Sequence, residues 1–89
     1  MEYPYTESMK TRLRRIEGQI RGVLRLMEEE KPCKDVVSQL SAIRSATDKA
    51  MAQIVAENLH QCIRAEQEAG NKDTKKMVQE AVELLVKSR

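Results

Sequence analysis

The amino-acid sequence predicts an all-α protein from its composition, its hydrophobic periodicity and its few helix-breaking residues. The 89 residues include no Trp or Phe, three Gly and two Pro, and the strong helix formers Ala, Leu, Glu, Lys, Arg, Gln and Met dominate. A chain of this length forms one domain at most. We therefore expect a single helical domain over residues 1–89.

Three amphipathic segments follow one another, each with apolar residues three and four positions apart. Pro4 disfavours helix near the amino terminus, and Lys31-Pro32 interrupts the pattern because a residue before proline avoids the α region. Gly70 suits a helix end, where a left-handed backbone is common. The pattern predicts a short flexible tail at residues 1–6 and three helices, over about residues 7–30, 33–67 and 73–88. Candidate N-caps are Thr6 or Ser8 for the first helix and Asp73 or Thr74 for the third.

The lengths of the first two helices predict an oligomer. At about 1.5 Å per residue they would be about 36 and 50 Å long, and a hairpin of that shape has one layer of contacts and encloses no core. Two hairpins packed as an antiparallel four-helix bundle would enclose one. We therefore expect a homodimer, and the same helices permit a higher oligomer.

Positive charge is concentrated on the first helix. The chain has a net charge of only +2, yet the segment from Met9 to Arg25 holds six basic residues and one acid, Glu17. On an isolated helix such a face is commonly solvated and partly ion-paired. Repeated by symmetry in an oligomer, it would suit successive phosphates of a DNA duplex, although no known DNA- or RNA-binding motif is present. The predicted DNA contacts are Lys10, Arg12, Arg14, Arg15, Arg21 and Arg25.

Several classes of protein fit the sequence poorly. No apolar run approaches the roughly 20 residues of a membrane span, and no secretory leader is evident. Two cysteines in such a chain indicate cytosolic thiols, so we expect a cytoplasmic protein without a membrane partner. With no CxxC pair, general base or cofactor loop, we expect no enzyme. A small thiol enzyme and a purely structural helical oligomer are the alternatives from other classes.

The two cysteines lie 29 positions apart at opposite ends of the second helix. Twenty-nine steps end about 20° beyond eight full turns, so Cys33 and Cys62 share one face but lie about 43 Å apart along the axis. A disulfide needs Cα atoms within about 7 Å, which excludes a bridge within one chain. If the helix packs antiparallel against its copy about Thr47-Asp48, Cys33 of one subunit lies near Cys62 of the other. The alternative is that both are small core residues.

The thiols are expected to differ in reactivity. Cys33 lies in the first helical turn, where the helix dipole, Lys31 and Lys34 favour a thiolate, whereas Cys62 lies deeper in the helix. We assign Cys33 as the attacking thiol and Cys62 of the partner subunit as the resolving one.

A metal site would need further ligands. Asn58 lies one turn before Cys62 on the same face, but an amide is a poor ligand for soft metals. His60 is about 200° round the helix from Cys62 and is expected at the surface or against the third helix. We therefore expect no metal or other cofactor. Two thiolates alone could hold Cu(I), which is the alternative.

Two runs of the sequence resemble motifs of a known family, RLRRIEGQIRG at residues 12–22 and CKDVVSQLSA at residues 33–42. The first is similar to the helix 1 signature of the CsoR-type, metal-sensitive transcriptional repressors, and the second to the start of their second helix. The likeness continues through Glu57-Asn58-Leu59 and Cys62 and covers nearly the whole chain. It implies a disc-like dimer of dimers (a homotetramer) whose basic first helix holds operator DNA.

The resemblance also implies a sensing chemistry. Copper sensors of this family use a Cys, a His and a Cys, with the His four residues before the second Cys, where this chain has Asn58. That replacement resembles the persulfide-sensing, CstR-type branch; formaldehyde- and nickel-sensing branches keep the His and lack the second Cys. It implies that a persulfide or polysulfide inducer crosslinks Cys33 to Cys62 of the partner subunit and releases operator DNA. A Cu(I)-responsive repressor using the same cysteines is the alternative. Glu80 resembles an allosteric residue of the copper sensors.

Overall fold

The computed structural model describes residues 5–70 and 74–88 of the chain. Its three helices are α1 (Glu7–Glu28), α2 (Cys33–Glu68) and α3 (Thr74–Lys87), and no strand occurs in those residues. The predicted all-α class is therefore confirmed. α1 ends two residues before the predicted position, α2 ends one residue later and α3 ends one residue earlier. Most of the predicted tail, with Pro4, and the candidate cap Asp73 lie outside the described residues, and Thr74 is the first residue of α3.

α1 begins with a capping box built on Thr6 rather than on Ser8. The Thr6 hydroxyl oxygen accepts a hydrogen bond from the Met9 backbone N–H at 3.2 Å. The Thr6 backbone N–H donates in return to Met9 Sδ at 3.4 Å. A thioether therefore takes the place of the usual Glu or Gln in this motif. Because Met9 is also buried, the cap couples the start of α1 to burial of its first apolar residue.

The turn between α1 and α2 contains the left-handed residue Glu30, with φ of 56°. The Glu30 N–H donates to the Met27 carbonyl at 3.0 Å, and the Lys31 N–H donates to the Leu26 carbonyl at 2.9 Å. This pair of bonds is the Schellman pattern that satisfies the last carbonyls of a helix, and its left-handed position usually holds glycine. Pro32 then precedes α2, and its carbonyl accepts from Asp35. The chain thus leaves the helical conformation at the left-handed Glu30, and α2 begins after Pro32, which agrees with the predicted break at Lys31-Pro32.

Gly70 ends α2 as the sequence predicts. Its φ is +80°, a conformation that side-chain-bearing residues rarely adopt. The Gly70 N–H donates to the Gln67 carbonyl at 3.1 Å, which satisfies one carbonyl at the helix end.

Two compact units divide the chain within α2, one of Thr6–Ala50 and the other of Met1–Tyr5 with Met51–Arg89. In the first unit a small core joins α1 to the first half of α2; its buried members are Ile16, Val23, Ile43 and Ala50, with Val36 and Ala46 packed against them. Among the described residues of the second unit, the buried ones are Asn58, Cys62 and Ala81. The single domain over residues 1–89 stays a prediction.

A large part of the predicted apolar stripe remains exposed in the first unit. On α1, Leu13, Ile20, Leu24 and Met27 are each about half exposed, and on α2 the same holds for Val37 and Leu40. Only three residues of the α1 stripe, Met9, Ile16 and Val23, are buried. Across the described residues no helix is both long and apolar enough to traverse a membrane.

Replacing Glu30 with glycine is expected to stabilise the fold. Glycine adopts the φ of 56° at Glu30 without a Cβ clash, so Glu30→Gly should raise the free energy of unfolding by about 0.5–1 kcal/mol. The measurement is urea denaturation followed by circular dichroism at a fixed protein concentration, because oligomerisation makes the midpoint concentration-dependent.

The matched control is Glu29→Gly, one residue earlier in the same turn. Glu29 has φ of −84°, where glycine brings only added freedom of the unfolded chain, so this variant should be destabilised. Equal destabilisation by both substitutions would contradict the assignment of strain to Glu30.

Candidate functional site

The carboxyl-terminal half of α2 carries a buried thiol beside a buried amide. Cys62 is 9% exposed and Asn58, one turn earlier, is 6% exposed. The Asn58 Nδ2 donates to the Ile54 backbone carbonyl at 2.8 Å, which satisfies the buried amide nitrogen within its own helix. Asn58 is therefore positioned by its own helix next to Cys62, and its side-chain nitrogen is already engaged.

Cys33 is in a different environment. It is the first residue of α2, and its thiol is free and exposed, whereas the free thiol of Cys62 is buried. The two thiols therefore differ in accessibility, and their assigned roles as attacking and resolving thiol stay a prediction. The sequence reasoning counted Lys31 and Lys34 near Cys33 but omitted Asp35, which lies in the same first turn and offsets part of their charge.

Within one subunit the two thiols occupy separate parts of the molecule. Cys33 belongs to the unit Thr6–Ala50 and Cys62 to the unit that contains Met51–Arg89. Both lie in α2, and a span of 29 residues in an α-helix far exceeds the reach of a disulfide. Their meeting across a subunit interface stays a prediction.

The residues present do not fit a three-ligand Cu(I) site within one chain. The described residues contain no group of three or more His, Cys, Asp or Glu placed to hold a metal ion. Asn58 stands where a third ligand would lie, but its amide nitrogen is bound to Ile54 and amides bind soft metals poorly. His60 is exposed, in agreement with the predicted surface position.

Three basic residues of α1 form ion pairs along its exposed face. Lys10 Nζ lies 3.6 Å from Glu7 Oε1, Arg14 lies 3.9 Å from Glu7 Oε2, and Arg21 lies 3.6 Å from Glu17 Oε1. All these side chains are at least half exposed, so each pair contributes at most about 1 kcal/mol. DNA phosphates could therefore replace these carboxylates at little cost.

A cleft of about 390 Å³ lies between α1 and the first half of α2, and its polar lining residues are Arg12, Arg15, Gln19, Ser45 and Lys49. The apolar lining comes from Ile16, Ala42 and Ala46. Because alanine side chains are single methyl groups, α2 leaves open space beside α1 here. We call this cleft the basic cleft, because Lys49 of α2 lines it together with Arg12 and Arg15 of α1.

The sequence reasoning missed Ser45 and Lys49 because it read charge helix by helix. A usable signal was present: Ala42, Ser45, Ala46 and Lys49 repeat at three- and four-residue steps, which places small residues and one lysine on one face of α2. That spacing does not by itself show that the face adjoins Arg12 and Arg15.

The other predicted DNA contacts are distributed along α1. Lys10 and Arg14 line a second cleft, of about 350 Å³, with Leu13 and Glu17. Arg21 is paired with Glu17, and Arg25 lies in the last turn of α1. The structure thus groups Arg12 with Arg15 and Lys10 with Arg14, while Arg21 and Arg25 line neither cleft.

Glu80 lies on α3 and is exposed. It lines a shallow cleft of about 310 Å³ with Glu83, Leu84 and Lys87. Its allosteric role stays a prediction.

Comparisons with known proteins identify the family of this chain. The family model described as metal-sensitive transcriptional repressor matches residues 5–87. The chain is 53% identical over 64 residues to the uncharacterized protein YrkD of Bacillus subtilis, covering 72% of this chain and 100% of that protein. It is 47% identical over 60 residues to the copper-sensing transcriptional repressor RicR of Mycobacterium tuberculosis, covering 66% of this chain and 62% of RicR.

A solved structure shows the same fold. The nickel-responsive transcriptional regulator InrS superposes with a TM-score of 0.76 at 30% identity, covering 96% of this chain and 97% of that chain. The matched family consists of transcriptional repressors rather than enzymes. The chain therefore belongs to the CsoR-type family of metal-sensitive transcriptional repressors.

Proposed function

We propose that this protein represses transcription by binding operator DNA, and that it senses persulfide or polysulfide through Cys33 of one subunit and Cys62 of its neighbour. The observation that carries the proposal is the local chemistry of α2. One free thiol is exposed, the other is buried, and the side chain in the third-ligand position is an amide tied to its own helix. This donor set suits sulfur exchange better than metal coordination.

The exposed apolar face supports an oligomer. Leu13, Ile20, Leu24 and Met27 of α1 are about half exposed in one copy, and covering them stabilises by about 25 cal/mol per Å² of apolar surface. A second copy offers the same face, as a two-fold interface requires. Near the proposed two-fold axis, Thr47 Oγ1 donates to the Ile43 carbonyl at 2.8 Å, so its hydroxyl can be buried without losing its partner. We infer an antiparallel four-helix-bundle dimer and, from it, a disc-like tetramer.

The chemistry is two successive thiolate attacks. The Cys33 thiolate attacks the outer sulfur of a persulfide RSSH, which leaves a persulfide on Cys33 and releases the thiolate RS⁻. The Cys62 thiolate of the partner subunit then attacks the Cys33 sulfur, forms a disulfide and releases HS⁻. A longer polysulfide left on Cys33 gives a tri- or tetrasulfide by the same displacement. No external oxidant is needed, because the inducer itself is reduced.

The crosslink acts on DNA through the shape of the oligomer. It joins two subunits beside α2, and α2 also supplies Ser45 and Lys49 to the basic cleft. If the bridged form holds the basic surfaces in a spacing that DNA does not match, affinity falls. The few kcal/mol typical of coupling between sites are well within what a covalent bond supplies.

The similarity to RicR favours one second candidate, a Cu(I)-responsive repressor. RicR is a copper-sensing repressor at 47% identity over the matched residues. Two thiolates can bind Cu(I) without a third ligand. Anaerobic Cu(I) titration with operator binding as the readout separates the two: release of DNA by stoichiometric Cu(I), with no response to polysulfide, favours copper.

Treatment with inorganic polysulfide is expected to convert the wild-type protein into a covalent dimer with two to four bridging sulfurs. Cys33→Ala should form no bridge but keep its affinity for DNA, because the attacking thiol is absent while the basic surface is intact. Cys62→Ala should carry a persulfide on Cys33 without dimerising, since the resolving thiol is absent. Non-reducing electrophoresis and intact-mass spectrometry measure both outcomes. A covalent dimer in Cys33→Ala would contradict the assigned roles.

Neutralising the basic cleft should weaken DNA binding and its salt dependence. In Arg15→Gln/Lys49→Gln, each lost phosphate contact should lower the slope of log affinity against log salt by about one. The measurement is fluorescence anisotropy on a duplex obtained by binding selection with the wild-type protein. The control is Lys76→Gln, an exposed lysine of α3 outside the three clefts. An unchanged slope in the double variant would remove the cleft from the DNA interface.

Asn58→His should raise Cu(I) affinity by at least about ten-fold, because imidazole is a good ligand for copper and residue 58 lies one turn before Cys62. Asn58→Leu is the matched control, of similar size but without a ligand atom. Competition with a Cu(I) chelator under anaerobic conditions measures both. Equal affinity in the two variants would mean that residue 58 does not face the thiols.

A further inference from the structure

The basic cleft has the composition of an anion site. Arg12 and Arg15 line it from α1 and Lys49 from α2, and no acidic residue is among its lining residues. Neither Arg15 nor Lys49 forms an ion pair with another described residue, in contrast to Lys10, Arg14 and Arg21. The positive charges of Arg15 and Lys49 are therefore not neutralised by the described part of the chain.

One of the residues that line the cleft carries an unsatisfied polar atom. Gln19 lines the cleft, and its Oε1 atom is buried with no hydrogen-bond partner among the described residues. A buried polar atom left unpaired costs about 1–3 kcal/mol, so native proteins rarely keep one without a reason. The same amide carries an NH₂ group, which can donate to an acceptor bound in the cleft. Ser45 adds a hydroxyl donor from α2.

We propose that the basic cleft binds one tetrahedral oxyanion, taken from the DNA backbone or as free inorganic phosphate. Arg15 and Lys49 supply the charge, with Arg12 beside them, and Gln19 and Ser45 donate hydrogen bonds to the phosphate oxygens. Charged groups and neutral donors from two helices line one cleft, which distinguishes this site from a diffuse basic surface. The cleft volume of about 390 Å³ leaves room for a phosphodiester as well as for a free ion.

One consequence is that free phosphate should compete with DNA for the basic cleft. Free phosphate in the cleft would block a DNA phosphate, so operator binding should fall more in phosphate than in chloride at equal ionic strength. The DNA part of this inference rests on the proposed repressor function, whereas phosphate binding by the free protein does not. An experiment can therefore exclude phosphate binding without excluding the repressor function, or the reverse.

The first test is a titration of the full-length, ¹⁵N-labelled protein with sodium phosphate and, separately, with sodium chloride at matched ionic strength and pH. We expect saturable shifts of the Gln19 and Ser45 backbone amides with phosphate only. Lys49→Gln should weaken phosphate binding about ten-fold, the loss expected for one charged hydrogen bond, and Lys76→Gln should leave it unchanged. Equal shifts in both salts, or equal weakening by both variants, would overturn the site.

The neutral donors give the sharper test, because removing them changes no charge. Gln19→Leu and Ser45→Ala should each weaken phosphate binding several-fold, and circular dichroism checks that each variant folds. Ser45→Ala is small enough to keep the proposal testable if Gln19→Leu does not fold. Phosphate affinity unchanged in a folded variant would exclude that residue's role, and unchanged affinity in both would overturn the proposal.

Whether the cleft binds a phosphate of the DNA backbone is tested with the duplex that was selected for binding to the wild-type protein. Ser45→Ala should lower duplex affinity without altering the salt slope, since it removes a hydrogen bond and no charge. If phosphate binds but Ser45→Ala leaves duplex affinity unchanged, the DNA source is overturned and free phosphate is the ligand. If the wild-type protein binds no duplex, the repressor function falls, and the phosphate titration still decides the site.

Discussion

The structure depends most on one constraint: a single copy of this chain has more apolar helix surface than it can cover. Without Trp or Phe, the Thr6–Ala50 unit builds its core from Ile16, Val23, Ile43 and Ala50, with Val36 and Ala46 against them. Several larger apolar side chains of α1 and α2 stay half exposed. Because hydrophobic burial is the main favourable contribution to folding, a second copy is the natural partner for this surface. The proposed oligomer follows from this requirement, and it also gives each thiol a possible partner.

This constraint connects the proposed thiol site with the proposed DNA-binding surface. A long α2 carries an exposed thiol at its first residue and a buried thiol near its end, and it also supplies Lys49 and Ser45 to the basic cleft. Chemistry that joins two copies of α2 would therefore act on the helix that supplies part of the proposed DNA-binding surface. Asn58 contributes by leaving the thiols without a good third metal ligand, since its amide is bound to Ile54. In this account the inducer changes the distance between basic surfaces rather than their charge.

The sequence was sufficient where the signal is local. Periodicity predicted the helices to within two residues at each described end, and the roles of Thr6 and Gly70 followed from capping preferences. It was insufficient where the feature depends on packing between elements. Lys49 and Ser45 join the α1 arginines only through the fold, and the left-handed Glu30 contradicts residue preference. The ion pairs of Glu7 with Lys10 and Arg14 were not predicted either, although Glu7 is the first residue of α1.

The most direct test of the central claim is to mix two variants that are each unable to form the bridge. Chains carrying Cys33→Ala and chains carrying Cys62→Ala are unfolded and refolded together, then treated with polysulfide and separated by non-reducing electrophoresis. If the site takes one thiol from each of two copies, mixed dimers contain one complete site and a covalent dimer appears, although neither variant gives one alone. If the mixture stays uncrosslinked while wild-type protein treated in the same way is bridged, Cys33 and Cys62 do not meet across the interface.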